Sequence, residues 1–164
     1  MQIVFLHGLE SGPHGGKYRS LAARFGEVAS PDCEGLLDIE PRLQRARACL
    51  DALAGPVVLV GSSFGGLLGL VLAGERPEQV RGLVMLAPAL HGVPSAWMRR
   101  PAAATRIVHG RGDDIVPIEA SRRFAAQTGV TLLEVDDGHR LTDSHAEMLA
   151  AVQDVLASVA AGEG

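Results

Sequence analysis

Pro56-Val57-Val58-Leu59-Val60-Gly61-Ser62-Ser63-Phe64-Gly65-Gly66-Leu67-Leu68 is the stretch that decides the fold. Its opening Val-Val-Leu-Val run, bounded by Gly55 and Gly61, is too short for a helix. It has the unbroken apolar character of a strand buried on both faces. From Phe64 to Gly74 the chain reads as a buried apolar helix. Between the two, Gly61-Ser62-Ser63-Phe64-Gly65 fits G-x-S-x-G, a sharp turn from strand into helix. The turn holds its serine in a strained backbone conformation with the hydroxyl exposed. Side chains two residues before and after it would collide with neighbouring elements, which explains Gly61 and Gly65. The helix N-terminus behind the serine offers backbone N–H groups to an oxyanion. Ser62 has Val60 and Phe64 at those flanking positions, so Ser63 is the candidate nucleophile.

Outward from this unit the alternation continues. Gln2–Leu6, Glu27–Ser30, Gly82–Leu86, Ala104–Val108 and Thr131–Val135 read as strands. Gly15–Phe25, Ile39–Leu53, Ile118–Gln127 and Thr142–Ala160 read as helices, the last with Thr142 as N-cap. Helical spacing is clearest in Ile39, Leu43, Ala46, Leu50 and Leu53. The rhythm predicts one α/β domain over residues 1–164. It is expected to be a three-layer sandwich, with a mostly parallel sheet of about six strands and helices on both faces. In such sheets the ligand site lies beyond the carboxyl ends of the strands.

Composition bounds the function. The chain has 164 residues, 47% hydrophobic and 21% charged, enough for one buried core and too apolar for a disordered polar chain. A net charge of -4 with no basic stripe argues against nucleic acid as a partner, and the lack of a Lys/Arg run argues against an anionic membrane surface. Cys33 and Cys49 are too few and too isolated for a disulfide framework or a zinc site. No stretch reaches the roughly 18 apolar residues of a membrane span. The opening Met1-Gln2-Ile3-Val4-Phe5-Leu6 reads as a buried strand, not a signal peptide. A cytoplasmic protein with reduced thiols is expected.

The strand ends carry the polar chemistry. His7-Gly8-Leu9 follows the first strand, and the Ser63 turn follows Pro56–Val60. His109-Gly110-Arg111-Gly112-Asp113-Asp114 follows Ala104–Val108, and Asp136-Asp137-Gly138-His139 follows the last strand. A serine, carboxylates and a histidine therefore share one rim of one sheet. A serine hydroxyl needs a base, and imidazole both accepts and returns a proton near neutral pH. His139, between the last strand and the last helix, fits that role. His7 and His109 directly precede glycines, as structural residues do, and His14, His91 and His145 have no strand-end context. The base needs an orienting carboxylate. Asp113 and Asp114 are both candidates. Asp136 and Asp137 lie too close in sequence to His139 to face it, and Ala87-Pro88-Ala89-Leu90 offers no acid.

Taken together these motifs resemble the α/β-hydrolase superfamily over nearly the whole chain, most closely its small, lidless bacterial esterases of the YqiA-like kind. The resemblance rests on Phe5-Leu6-His7-Gly8-Leu9-Glu10-Ser11-Gly12-Pro13 with Lys17, on Val60–Gly66, on His109–Pro117 and on Asp137-Gly138-His139-Arg140. It implies that Asp113 is the acid and Asp114 a flanking residue. It also implies an oxyanion hole built from the backbone N–H groups of Leu9 and Phe64. The usual fold of that superfamily begins with two further antiparallel strands, so a trimmed version is implied. Pro88–Ala103 is too short for a helical cap. Pro94, Trp97 and Pro101 suggest an ordered loop there. Trp97 serves either as a substrate contact or in local packing, and Arg99 and Arg100 either attract an anionic group or form a solvated pair.

The expected activity is acyl transfer by a carboxylesterase with Ser63, Asp113 and His139, acting on a small-molecule acyl substrate and using no metal or organic cofactor. A thioesterase or peptidase would use the same residues, and a binding protein would keep the fold without needing all three.

Overall fold

In the computed structural model, which describes residues 1–162, six strands form one sheet. They are β1 (Gln2–Leu6), β2 (Val28–Ala29), β3 (Val57–Ser62), β4 (Val80–Leu86), β5 (Ala104–Gly110) and β6 (Thr131–Val135). Their order is β2-β1-β3-β4-β5-β6, and every neighbouring pair is parallel. Parallel neighbours require crossover connections. Helices α1 (Gly16–Phe25), α2 (Ile39–Asp51), α3 (Phe64–Glu75) and α4 (Ile118–Thr128) supply four of the five, and α5 (His145–Ala160) follows β6. The β4–β5 connection holds only a single 3-10 turn, Ser95–Trp97, and no cap domain.

Because successive strand residues point to opposite faces, the apolar runs split into two cores. Val4, Leu59, Leu83, Met85 and Ile107 meet Leu43 and Leu50 of α2, Leu68 and Leu72 of α3 and Phe124 of α4. Ile3, Phe5, Val58, Val60, Val84 and Val108 meet Leu21 of α1 and Met148, Val152 and Val155 of α5. The result is a sheet with helices on both faces, as the apolar runs imply. Helix α3 is buried along most of its length, which matches its almost wholly apolar sequence. β2 is shorter than the Glu27–Ser30 expectation, since only Val28 and Ala29 pair with β1.

The largest boundary difference from the sequence reading lies at the start of the last helix. The last helix begins at His145, with Ser144 and not Thr142 at the N-cap. Leu141 adopts φ 52°, which turns the chain away from helix there. Asp137 then holds the following residues outside it: its Oδ2 accepts from the Asp143 N–H at 2.9 Å and from the Ser144 hydroxyl at 2.8 Å.

The strand order reverses direction at β1, whose neighbours are β2 on one side and β3 on the other. The crevice at the carboxyl ends of β1 and β3 is thus the topological switch point, where ligands bind in open α/β sheets. The β3–α3 turn opens onto it. Ser63 has φ 55° and ψ -115°, a conformation that costs on the order of 1–3 kcal/mol and persists only where the surroundings impose it. Its N–H donates to the Leu86 carbonyl and its own carbonyl accepts from the Ala89 N–H. Close approach does the rest. A Cβ at position 65 would lie 1.9 Å from the Leu6 carbonyl oxygen, and one at 61 would lie 2.2 Å from the Gly65 carbonyl oxygen. Both contacts are with backbone, so neither can yield cheaply.

Two glycines of α3 should therefore respond in opposite directions. Gly65→Ala is expected to lose about 3 kcal/mol or more of stability in urea unfolding. Gly74→Ala, at a position with open space around the added methyl, is expected to gain about 0.5–1 kcal/mol from helix propensity.

Candidate active site

Three strand ends converge on one line of hydrogen bonds. Ser63 Oγ donates to His139 Nε2 at 3.1 Å, and His139 Nδ1 donates to Asp113 Oδ2 at 2.7 Å. The Asp113 side chain is completely buried, while that of His139 is 18% exposed. Asp114, the neighbouring candidate, is exposed and makes none of these contacts. The separation of 76 residues between serine and histidine is closed by the sheet itself, through β3, β4, β5 and β6 side by side.

Asp113 is satisfied at all four lone-pair positions. Oδ1 accepts from the Ile115 and Val116 N–H groups at 2.9 and 2.8 Å. Oδ2 accepts from His139 and, at 3.0 Å, from His109 Nε2. Burial alone would raise the Asp113 pKa, but the hydrogen bonds from His139, Val116 and Ile115 outweigh it and hold the carboxyl below the usual carboxylate range. The His-Gly pattern reads His109 as a structural residue, and the structure places it directly against the acid. It is fully buried, and its Nε2 faces two acceptors, Asp113 Oδ2 and the Val116 carbonyl, so that nitrogen carries the proton. Nδ1 then accepts from the Ser121 hydroxyl of α4 at 2.8 Å. Burial pushes the His109 pKa down, which keeps it neutral in this role.

The acid and base loops are stitched together by backbone. Arg111 N–H donates to Val135 and Gly112 N–H to Asp137. A Cβ at Gly110 would sit 2.2 Å from the Asp137 carbonyl oxygen, so glycine is needed for this contact. Asp137, set aside as an acid for His139, instead anchors the 138–144 segment through Gly138, Asp143 and Ser144. Lys17 Nζ donates to the Arg140 carbonyl at 2.5 Å, tying α1 to the residue after His139.

A cleft of about 430 Å³ lies over Ser63, lined by Gly8, Leu9, Lys17, Ile115, His139 and His145 among others. Leu9 and Ile115 are 43% and 61% exposed and give its mouth an apolar rim. His145, which sequence context did not single out, lines this cleft and pairs with Ser20 Oγ at 2.7 Å. Phe64 opens α3, and its N–H is one of those a helix cannot satisfy internally. Leu9 sits across the cleft on the β1 loop. Trp97 and Arg99 do not line the cleft, and Arg100 donates instead to the Thr128 carbonyl beside β6. An imidazole held between a buried carboxylate and a half-buried hydroxyl that lines the cleft can deprotonate that hydroxyl, and backbone N–H groups at a helix start can stabilise an anion formed next to it.

The chain is similar to known proteins over this architecture. The Alpha/beta hydrolase family model matches residues 3–107, which include Ser63 but stop before Asp113 and His139. Lipase LipV of Mycobacterium tuberculosis is 36% identical over 100 residues, covering 54% of this chain and 38% of the lipase. The mitochondrial palmitoyl-protein thioesterase ABHD10 of Mus musculus is 36% identical over 94 residues, covering 57% of this chain and 32% of that protein. The match thus spans about a third of the length of those curated relatives. A crystal structure of an α/β-superfamily hydrolase from Xanthomonas campestris pv. campestris superposes with a TM-score of 0.81 at 30% identity. That match covers 96% of this chain and 98% of the other.

The buried histidines set the pH dependence of folding. Burial lowers the pKa of both His7 and His109 in the folded state. The unfolded chain then takes up protons below about pH 6.5 that the folded chain does not, so stability is complete above that value and is lost as pH falls through the folded pKa values. The depressed Asp113 pKa adds a second loss below about pH 4. Urea midpoints are expected to fall steadily from pH 7 to 5. In His109→Gln that slope should be shallower, by at most about 1.4 kcal/mol per pH unit.

Proposed function

The chain belongs to the α/β hydrolase family, and on that premise we propose that it is a serine hydrolase of carboxylic esters. Ser63 is the nucleophile, His139 the base and Asp113 the orienting acid. The single observation that carries this reading is the continuous line from Ser63 Oγ through both His139 nitrogens to the buried Asp113 carboxylate.

Chemistry follows from the geometry. As Ser63 Oγ attacks an ester carbonyl carbon, His139 Nε2 takes its proton, and the C=O pair moves onto oxygen. Asp113 accepts from Nδ1, which fixes the tautomer that leaves Nε2 free and stabilises the imidazolium. The Leu9 and Phe64 N–H groups donate to the oxyanion. His139 returns the proton to the leaving alcohol, then takes one from water to free the acid from Ser63. No metal or organic cofactor enters any of these steps. The unroofed cleft with Leu9 and Ile115 at its mouth suits a small or accessible acyl group. A second reading, thioester hydrolysis, uses the same residues and is favoured by the thioesterase among the relatives.

Rates on p-nitrophenyl esters and matched thioesters test both readings. Ser63→Ala is expected to lose all measurable turnover on either. Asp113→Asn should lose about 10³–10⁴-fold, because the amide favours the wrong imidazole tautomer, while Asp114→Asn should stay within about threefold of the parent. Parent-like turnover in Ser63→Ala would overturn the proposal, and a larger loss in Asp114→Asn would move the acid to that residue.

A further inference from the structure

The most unusual group outside the triad is Arg42, in the middle of α2. Its side chain is fully buried, and among the described residues no carboxylate lies within ion-pair distance of it. Its donors reach backbone carbonyls only. Nε donates to Leu36 at 2.6 Å, Nη1 to His7 at 3.0 Å, and Nη2 to Cys33 at 3.1 Å and Gly8 at 3.3 Å. Its guanidinium carbon also lies 5.5 Å from the centroid of the Phe64 ring. Burial lowers its pKa, yet a guanidinium stays charged in any protein environment. A cation taken out of water without a counter-ion is costly to hold.

Its partners give that cost a purpose. The Gly8 carbonyl and the Leu9 N–H are the two ends of one planar, trans peptide unit, and they point in opposite directions. The carbonyl end is gripped from inside by Arg42 and by His7 Nδ1, which donates to the same oxygen at 2.8 Å. His7 Nε2 accepts the Cys33 N–H at 3.0 Å, which fixes Nδ1 as the protonated nitrogen. With the carbonyl held inward, the Leu9 N–H is turned outward toward the cleft that Gly8, Leu9 and Ser63 line. Donors on a carbonyl also polarise the N–H of the same peptide and strengthen it. The same guanidinium also lies against the ring of Phe64, the residue that supplies the second oxyanion donor in the reading above.

We propose that Arg42 is a positioning residue that orients and polarises the Leu9 N–H and braces the Phe64 side chain, acting on the oxyanion and not on substrate binding. The inference rests on the serine-hydrolase reading above. Its unneutralised charge gains a partner only when negative charge develops in the cleft, so its effect belongs to the transition state.

The test compares Arg42→Lys and Arg42→Met with the parent, with active sites counted by titration so that misfolded protein is excluded. Lysine keeps the charge but cannot span four carbonyls, and methionine removes the charge. Both are expected to lower kcat per titrated site by about tenfold or more, less than the roughly 10²–10³ for outright loss of an oxyanion-hole donor, with KM unchanged within about twofold. Affinity for an alkylboronic acid, which takes the Ser63 oxygen to form a tetrahedral anion, should weaken in the same proportion as kcat/KM. If Arg42→Met does not fold, Phe64→Leu replaces it; that variant removes the ring but keeps the backbone N–H, and a several-fold loss with the same boronate correlation is expected. A kcat per site and boronate affinity within twofold of the parent in the folded variants would overturn the proposal. Failure of the serine-hydrolase reading looks different: the parent itself would bind no boronate, or Ser63→Ala would match it.

Discussion

The approach of α3 to the carboxyl ends of β1 and β3 is the constraint on which the site depends. With no side chain at Gly61 and Gly65, the first turn of α3 sits against the Leu6 carbonyl and the end of β3. That leaves Ser63 at φ 55° with its hydroxyl facing out of the sheet. The strain is balanced locally, since the Ser63 N–H and carbonyl are held by Leu86 and Ala89 on the adjacent strand end. Sheet order then places the β5 and β6 loops where a histidine can reach the same hydroxyl. The two apolar layers matter to the chemistry mainly because they make this rim rigid.

Two His-Gly pairs, His7-Gly8 and His109-Gly110, play parallel parts on that rim. Each histidine is buried, is kept neutral by burial and has both ring nitrogens hydrogen-bonded. His7 holds the loop that carries Leu9, and His109 holds the carboxylate of Asp113. Loops at the end of a parallel sheet expose backbone groups that no ladder can satisfy. A neutral imidazole, with one donor and one acceptor, joins two such groups without adding charge beside the triad. Arg42 differs from both, being a full charge placed against the Gly8 carbonyl.

Much of this was legible in the sequence, because apolar runs and glycine spacing report directly on strands, close approaches and sharp turns. The strand ends named Ser63, His139 and the Asp113–Asp114 pair, and the structure brings Ser63, His139 and Asp113 within hydrogen-bond distance. What sequence could not show are contacts made by loops far apart in the chain. Thr142 has the chemistry of an N-cap, but the tertiary pull of Asp137 starts the helix at His145. Arg42 lies one residue before Leu43 in α2, and no motif or spacing in the sequence marks it. It is buried only because residues 33–36 and 7–8 fold around it. A buried His-Gly histidine likewise shows its partner only when the loop that follows it is in place.

The account stands or falls on Ser63 as the nucleophile. Brief exposure of the native protein to a fluorophosphonate, followed by intact-mass measurement and peptide mapping, tests that most directly. One adduct per chain, on the peptide containing Ser63 and absent after heat denaturation or in His139→Ala, is the predicted result. A native protein that takes up no label, or takes it up at another residue, would contradict the account.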